Sequence, residues 1–300
     1  MFRYIIFILI FIIAAGSFFV LKKRRDLPFQ EIVEFDESIA IINARDWYAN
    51  KIGISISSDG YHEVAKLHYA ENGVCIYKKK QSDKPIKIKL ERTDLKGRIL
   101  YKTKIVYLNS KKQTDQYIVL IGASVGSGWN FDRLTERINI SPDIVFGFRP
   151  HYFFDKTQII DKLIALPVPV YSVIIKECSA YFPRDIEKSI SLVKEWIIKL
   201  QKNNILPVLA TVVPVTEQRD QLSPGKMASL IQYNDSIRSL AATRKLPILD
   251  LEKALRISDK NRHLRKEYAQ KDGTHLTPFG YAALDSMMEK NIKRLFRLKE

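Results

Sequence analysis

The sequence predicts an α/β fold, a doubly wound parallel sheet of five strands, over residues 117–300. Two observations predict it. Short apolar runs have the length of buried strands, and amphipathic segments with apolar residues at steps of three and four lie between them. Because strands and helices alternate along the chain, the strands are expected to run parallel, with helices covering both faces of the sheet.

The predicted strands are apolar runs bounded by polar or turn-forming residues. In chain order they are residues 117–121, 143–147, 170–176, 205–213 and 246–251. A short helix is predicted at 130–137, and longer amphipathic helices at 184–202 and 224–244. A last helix is predicted to begin after Thr277, which would act as its N-cap, with Pro278 at the first helical position. It would bury Tyr281, Leu284 and Met288.

Two motifs of this region carry candidate catalytic residues. The first predicted strand ends in the letters GASVG, which place Ser124 on a glycine-flanked turn into a helix. Such a turn presents the serine hydroxyl at the carboxyl edge of the sheet. Downstream, the segment KDGTHLTPFGY places Asp272 three residues before His275. A nucleophile needs a base, and the base needs a group that orients it, so Ser124, His275 and Asp272 could fill these roles.

The order of these motifs resembles that of the SGNH (GDSL-type) hydrolases, over about residues 117–290, and DGTHLTPFGY carries most of the resemblance. It implies a flavodoxin-like sheet, Ser124 as nucleophile, His275 as base, Asp272 as the orienting acid, and no cofactor. The first family block, normally Gly-Asp-Ser, departs from the pattern here, since Ala123 precedes Ser124.

The resemblance also implies an oxyanion hole built from the backbone N–H of Ser124 and that of a glycine, for which Gly147 is the candidate. The asparagine of the family's third block is replaced by Cys178, which is followed by Ser179. A thiol is a weak hydrogen-bond donor, and losing one oxyanion donor typically costs about 10²–10³ in rate. We therefore expect a slow enzyme unless Ser179 or another amide supplies the missing donor.

The net charge of +16, from 49 basic and 33 acidic residues, favours an anionic partner such as an acidic polysaccharide, an anionic lipid surface or nucleic acid. A bias towards isoleucine and lysine is the alternative explanation. No zinc spacing, aromatic-basic signature or helix-turn-helix pattern is present, so a nucleic acid is not expected. Arg149 and Lys176 lie near predicted strand ends and are candidates for binding an anionic substrate, with solvated surface positions as the alternative.

The histidines and cysteines indicate whether a metal site or a disulfide framework is expected. The five histidines show no ligand spacing, so no metal is expected. The two cysteines, Cys75 and Cys178, do not form a disulfide framework; they could pair only across the two predicted domains, and we expect buried free thiols instead.

An apolar run at residues 4–21 is just long enough to span a membrane, which takes about 20 residues. The alternative is a cleaved signal peptide with small residues at 14–17 as its cleavage zone. We expect a retained anchor, because apolar residues continue past that zone, and no cysteine follows that would mark a lipoprotein.

The basic cluster at 22–25 would keep the rest of the chain in the cytoplasm by the positive-inside rule. Enzymes that the chain resembles usually act outside the cell when they follow such a leader, so we expect an extracytoplasmic domain.

Residues 26–116 are predicted to form a small β-rich region. Asn72-Gly73 lies between two strand-like arms, at 68–71 and 74–77, which is a hairpin signal. Apolar and charged residues alternate at 86–90, and a turn at 94–97 leads into 98–108 before a polar linker. This region could bind carbohydrate, or serve as a spacer or lid. The sequence thus predicts three parts of the chain: an anchor or signal sequence at 1–25, a β-rich region with its linker at 26–116, and a catalytic domain at 117–300.

Alternatives remain at the level of fold and of function. An α/β-hydrolase also uses a Gly-x-Ser-x-Gly turn, and Asp250 would then be the candidate acid. The function that the resemblance implies is a membrane-tethered hydrolase of short acyl esters, acetyl above all, on a carbohydrate or other cell-surface substrate. The two alternative functions are an O-acyltransferase and a non-catalytic binding protein on a degenerate scaffold. The sequence does not predict an oligomeric state.

Overall fold

The computed structural model describes residues 116–140, 144–166 and 170–297, together with the backbone of seven strands between residues 30 and 108. The predicted anchor at 4–21 and the first arm of the predicted hairpin lie outside the described residues. No helix in the described part of the chain is long and apolar enough to cross a membrane.

The first seven strands belong to two small sheets. They are β1 (Gln30–Glu34), β2 (Ser38–Asn43), β3 (Gly53–Ser58), β4 (Val74–Lys78), β5 (Ile86–Thr93), β6 (Ile99–Tyr101) and β7 (Ile105–Leu108). One sheet has the order β1-β2-β4, with β2 and β4 antiparallel. In the other, β5 pairs antiparallel with β3, β6 and β7. The role of this region and the three domain boundaries stay predictions.

The central sheet is the predicted five-stranded parallel sheet. Its strands are β8 (Gln116–Gly122), β9 (Ile144–Pro150), β10 (Ser172–Ile175), β11 (Leu206–Ala210) and β12 (Ile248–Leu249). They run parallel in the order β12-β11-β10-β8-β9. After β9 the chain crosses back to place β10 on the other side of β8. Open α/β sheets bind their ligands beyond the carboxyl ends of the strands at such a change of direction.

The helices of this region are α1 (Ser124–Trp129), α2 (Thr157–Ile164), α3 (Ile186–Lys202), α4 (Glu217–Gln221), α5 (Lys226–Arg244), α6 (Leu251–Leu255) and α7 (Pro278–Phe296). The two long amphipathic helices are confirmed as α3 and α5, and the last as α7 with Thr277 as its cap. The short helix predicted at 130–137 is found as a 3-10 helix, Phe131–Glu136, and an α-helix that was not predicted precedes it from Ser124.

The core lies against both faces of the central sheet. The side chains of residues 117–121 in β8 are fully buried, as expected for a strand covered on both sides. Trp129, Phe131 and Phe146 form an edge-to-face aromatic cluster beside this strand, with ring centroids 5.2 and 5.0 Å apart. Such pairs add to the burial energy and fix the packing of neighbouring elements. On α7, Leu284 and Met288 are buried as predicted, whereas Tyr281 is only half-buried.

Candidate active site

Ser124 follows the carboxyl end of β8, the strand that lies between β9 and β10 in the central sheet. Strand β8 ends at Gly122, and helix α1 begins at Ser124, whose side chain is half-buried. The N–H of His151, which follows β9, donates to the carbonyl of Gly122 at 2.8 Å, and the N–H of Lys176, after β10, donates to that of Ile121 at 3.2 Å. The serine is therefore flanked by the chain segments that leave both neighbouring strands.

Two glycines allow α1 to pack closely enough to hold the serine in this position. A Cβ on Gly126 would lie 2.5 Å from Cε2 of Phe148 in β9. A Cβ on Gly128 would lie 2.1 Å from the hydroxyl of Tyr281 in α7. Real Cβ atoms do not approach other atoms so closely, so a larger residue at 126 would push α1 away from the buried Phe148, and one at 128 would displace the Tyr281 side chain.

Hydrogen bonds also tie the end of α1 to α7. The indole N–H of Trp129 donates to Oδ1 of Asp285 at 2.7 Å, and the Arg137 guanidinium donates to Oδ2 of the same carboxylate at 2.7 Å. Because α7 begins three residues after His275, these contacts help to set the distance between the serine and the histidine.

The turn that carries Asp272 and His275 is held by its own backbone. Gly273 has a φ of +70°, a left-handed conformation that favours glycine. A Cβ there would lie 2.4 Å from Oγ1 of Thr216, whose N–H donates to the carbonyl of Gly273 at 3.0 Å. Oδ1 of Asp272 accepts the N–H groups of Thr274 and His275, both at 3.0 Å. The turn therefore holds the carboxylate beside the imidazole.

The structure brings Ser124, His275 and Asp272 together. His275 Nε2 lies 2.9 Å from Ser124 Oγ, and Nδ1 contacts Oδ2 of Asp272 in a short hydrogen bond. Partial burial would raise the pKa of Asp272, but the hydrogen bonds from His275 and from the two backbone N–H groups outweigh it and lower this pKa from 3.8 to about 2. An ionised Asp272 keeps the imidazole proton on Nδ1, which leaves Nε2 free to accept the serine proton.

Gly147 does not lie at this edge of the sheet, which corrects its assignment as an oxyanion donor. It lies in the interior of β9, opposite Val119, three residues before the strand ends at Pro150. At about 3.3 Å per residue, Gly147 is roughly 10 Å below the end of β8. The residues that follow β9, from His151 onward, occupy the place that the prediction gave to the glycine.

Cys178 and Ser179 lie just beyond the end of β10. Ile175, the last residue of that strand, is opposite Ile121 in β8, so the two residues are at the same edge as Ser124. Both are buried, and Cys178 is a free thiol that precedes a 3-10 helix at Ser179–Tyr181 without capping it through its side chain. Whether either residue serves as an oxyanion donor stays a proposal. The side chain of Cys75 lies outside the described residues.

Arg149 and Lys176 are not available to a substrate, which corrects their assignment as candidate binding residues. Both side chains are fully buried. The Arg149 guanidinium donates to the hydroxyl of Tyr117, and Lys176 Nζ donates to the carbonyl of Glu177 at 3.0 Å. Their polar groups are hydrogen-bonded inside the protein.

A buried ion pair lies beneath the same edge and was not predicted. Lys156 Nζ and Oε2 of Glu177 are 2.7 Å apart, and both side chains are completely buried. Nζ also donates to the carbonyls of Phe153 and Phe154, at 3.3 Å each. The sequence signal for Glu177 is a pair of charged residues, Lys176 and Glu177, after a mostly apolar strand, but nothing local indicates its partner 21 residues earlier.

Asp250 is too far from the serine to act as the alternative acid. It follows β12, which is separated from β8 by β11 and β10. At about 4.8 Å per strand, this distance is about 14 Å. Its carboxylate accepts hydrogen bonds from Arg238 at 2.7 and 2.9 Å and from Thr211 at 3.1 Å, and it caps α6. Within the described ranges, no group of three or more histidine, cysteine, aspartate or glutamate side chains could hold a metal ion.

Comparison of the sequence with protein-family models and with curated proteins gives no match. Solved structures do match. A predicted acylhydrolase from Bacteroides fragilis is 16% identical, with a TM-score of 0.50 over 62% of this chain and 90% of that one. A member of the lipolytic G-D-S-L family from Veillonella parvula is 14% identical, with a TM-score of 0.48 over 60% and 100% of the two chains. A GDSL-like lipase from Bacteroides thetaiotaomicron is 15% identical, with a TM-score of 0.46 over 59% and 88%. The α/β region of this chain therefore has the fold of the SGNH (GDSL-type) hydrolases.

Proposed function

We propose that this protein is a serine ester hydrolase that cleaves short acyl esters, acetyl above all, on a carbohydrate or other cell-surface substrate. One observation carries the proposal: Ser124 Oγ lies 2.9 Å from His275 Nε2, while Asp272 binds the opposite nitrogen of the ring. A nucleophile, a base and an orienting acid in hydrogen-bond contact are the parts that acyl transfer through an acyl-enzyme needs.

The proposed reaction has two halves. In the first, Ser124 Oγ attacks the ester carbonyl carbon as His275 Nε2 takes the hydroxyl proton. The tetrahedral intermediate then collapses, the bond to the alcohol oxygen breaks, and His275 returns the proton to that oxygen. In the second half, His275 takes a proton from water, the resulting hydroxide attacks the acyl-serine, and Ser124 leaves with the proton as the free acid is released.

The oxyanion would be stabilised at the start of α1. The backbone N–H of Ser124 is at the first position of this helix, where the earliest N–H groups have no intrahelical acceptor. Because Gly147 lies elsewhere, a second donor would come from the segment that contains Cys178 and Ser179. Since a single donor contributes about 10²–10³ in rate, the proposal includes slow turnover if only Ser124 donates.

The test uses the full-length chain in detergent with 4-nitrophenyl acetate and a fluorophosphonate probe, which reacts with activated serines. We expect release of 4-nitrophenol and the addition of one probe molecule at Ser124, with both lost in Ser124→Ala. Ser239→Ala, at an exposed position of α5, is the matched control and should behave as wild type. Equal release by wild type and Ser124→Ala would contradict the proposal.

The same experiment distinguishes the two alternative functions. Labelling of Ser124 with negligible hydrolysis, but with acyl transfer to an added sugar, would indicate an O-acyltransferase. Neither labelling nor turnover would indicate a binding protein on a degenerate scaffold. The hydrogen-bonded geometry of Ser124, His275 and Asp272 favours a catalytic function over the last alternative.

The proposal includes an N-terminal anchor at residues 4–21 and an extracytoplasmic catalytic domain. The apolar run supports the anchor, and the basic residues at 22–25 argue against that orientation. We expect the full-length chain to stay in the membrane fraction after a high-salt carbonate wash, and protease added to intact cells to degrade it. Recovery in the soluble fraction would contradict the anchor, and resistance in intact but not in lysed cells would contradict the orientation.

A further inference from the structure

Three half-buried cations lie on segments around the candidate active site. Arg219 belongs to α4, Lys226 is the first residue of α5, and Arg184 lies just before α3. Arg149 and Lys176, the residues that the sequence predicts for contact with an anionic substrate, are both buried. The three cations named here lie on segments that follow the carboxyl ends of β10 and β11.

Arg219 contacts the turn that carries the catalytic histidine. Its Cβ lies only 2.8 Å from the position that a Cβ on Gly273 would take. Gly273 is bonded to Asp272 and is two residues from His275. The hydrogen bond from the N–H of Thr216 to the carbonyl of Gly273, at 3.0 Å, holds the start of α4 against this turn.

Lys226 is held beside α4, the helix that carries Arg219. The N–H of the next residue, Met227, donates to Oδ1 of Asp220 at 2.9 Å, and Asp220 directly follows Arg219. The start of α5 is therefore fixed next to the arginine that contacts the catalytic turn.

Arg184 extends this group along α5. Its backbone N–H donates to Oγ of Ser229 at 3.3 Å, and Ser229 lies one turn after Lys226 on the same helix. The Arg184 guanidinium stacks on the ring of Phe154, with 3.5 Å between its central carbon and the ring centroid. This stacking fixes the plane of the guanidinium.

The hydrogen-bonding capacity of these cations is not used within the described part of the chain. The Nε atoms of Arg184 and Arg219 are shielded from solvent and have no hydrogen-bond partner. None of the three side chains forms an ion pair with a described carboxylate. Asp220 is engaged by the N–H of Met227 at 2.9 Å and by His263 at 3.3 Å. Buried donors are rarely left unpaired, because an unsatisfied charged donor is costly.

We propose that the ester cleaved at Ser124 carries an anionic group, a carboxylate or a phosphate, which Arg219 and Lys226 bind beside the scissile bond, with Arg184 adding to the positive field. The inference rests on the proposed function, since it names the class of substrate for the same site. Guanidinium and ammonium groups suit planar or tetrahedral oxyanions, and the solvent-accessible parts of these half-buried side chains could bind such a group.

The test compares three acetyl esters that differ only at C6 of the sugar: a methyl mono-O-acetyl glucuronide, the corresponding acetyl glucoside, and the acetyl glucoside 6-phosphate. Acetate release gives kcat/KM for each ester with the full-length chain. We expect the better of the two anionic esters to exceed the neutral one by about 10- to 100-fold, the range that corresponds to one or two charged hydrogen bonds. The two anionic arms separate carboxylate from phosphate.

Variants at the cation cluster should reduce that preference. In Arg219→Gln, and separately in Lys226→Gln, the ratio of anionic to neutral kcat/KM should fall by about tenfold or more. Arg244→Gln makes the same charge change at the exposed far end of α5 and should leave the ratio at its wild-type value. Circular dichroism shows whether each variant is folded. If Arg219→Gln is not folded, Lys226→Gln alone serves as the test.

The outcomes separate this inference from the proposed function. A wild-type ratio near one, or an unchanged ratio in both folded variants, would overturn the inference even where Ser124→Ala abolishes turnover. If no ester is turned over, the proposed function fails, and calorimetric titration of the chain with the acetyl glucuronide, the phosphate and the neutral glucoside then decides the inference. Binding of an anionic ligand that is lost in Lys226→Gln would support it, and equal or absent binding of all three would overturn it.

Discussion

Replacing His275 with glutamine is expected to lower kcat/KM for 4-nitrophenyl acetate by about 10²–10⁴-fold, the usual contribution of a positioned general base. The serine hydroxyl has its hydrogen bond to Nε2 at 2.9 Å. Glutamine keeps a side chain of similar size that can still donate to Asp272. It cannot take up the proton, so Ser124 would stay a neutral hydroxyl. The measurement is initial rates at neutral pH with the full-length chain.

The control is His263→Gln. This histidine also contacts an aspartate, since its Nε2 lies 3.3 Å from Asp220, but its other nitrogen contacts Asn261 and not a serine. Its replacement should leave the neutral ester's kcat/KM within about twofold of wild type, because no proton transfer in the proposed reaction involves it. A His275→Gln rate within threefold of wild type would contradict the role of His275 as the base.

Asp272→Asn tests the orienting group in the same assay. An amide would donate to Nδ1, which favours the ring proton on Nε2, where it blocks acceptance of the serine proton. A loss on the order of 10³–10⁴ in kcat is expected from that change of tautomer. The folded pKa of about 2 lies below the ordinary 3.8, so the carboxylate contributes to stability above about pH 4. That contribution is lost as the pH falls towards 2. Above pH 4, the rate should therefore show no titration of Asp272.

The parts of the fold that the sequence predicts are those with local signals. Apolar runs specify the five strands because a parallel strand is covered on both faces, and the steps of three and four specify α3 and α5. The last helix was predicted from Thr277 and Pro278, a cap and a first-turn proline, and its cap is observed at that residue. The segment DGTHLTPFGY predicts that Asp272 and His275 act as a pair, because a short turn alone brings the two side chains together without distant contacts.

The errors come from tertiary contacts that no local pattern encodes. Strand β9 continues to Pro150, three residues past its predicted end, and this shift moves Gly147 into the interior. It also places Arg149 opposite Ile121, where it is buried, although a charged residue at a strand end is usually solvated. The start of α1 was missed because its glycines have low helix propensity. Close packing of Gly126 on Phe148 overrides that preference.

Replacing Glu177 with glutamine is expected to lower the free energy of unfolding by about 3–5 kcal/mol, because it removes one partner of a buried ion pair. Glutamine can still accept a hydrogen bond from Lys156, so the loss would come from the charge. Lys156 and Lys176 are both completely buried, and Arg184 also acts on Glu177. Without the carboxylate, the protein would hold these cations without a counter-charge. Urea unfolding can be followed by the fluorescence of Trp196, whose ring lies 6.0 Å from Lys156 Nζ.

A double-mutant cycle separates the pair from general damage to the core. Lys156→Met keeps the length of the side chain and removes its charge. We expect the double variant Lys156→Met/Glu177→Gln to lose less free energy of unfolding than the sum of the losses in the two single variants, by at least about 2 kcal/mol. Glu136→Gln breaks an exposed pair with Arg133, whose partners are 47% and 51% exposed, and should cost less than about 1 kcal/mol. Additive losses in the cycle would contradict a direct ionic contribution. Coupling would mean that Glu177 neutralises the buried Lys156 beneath the catalytic edge.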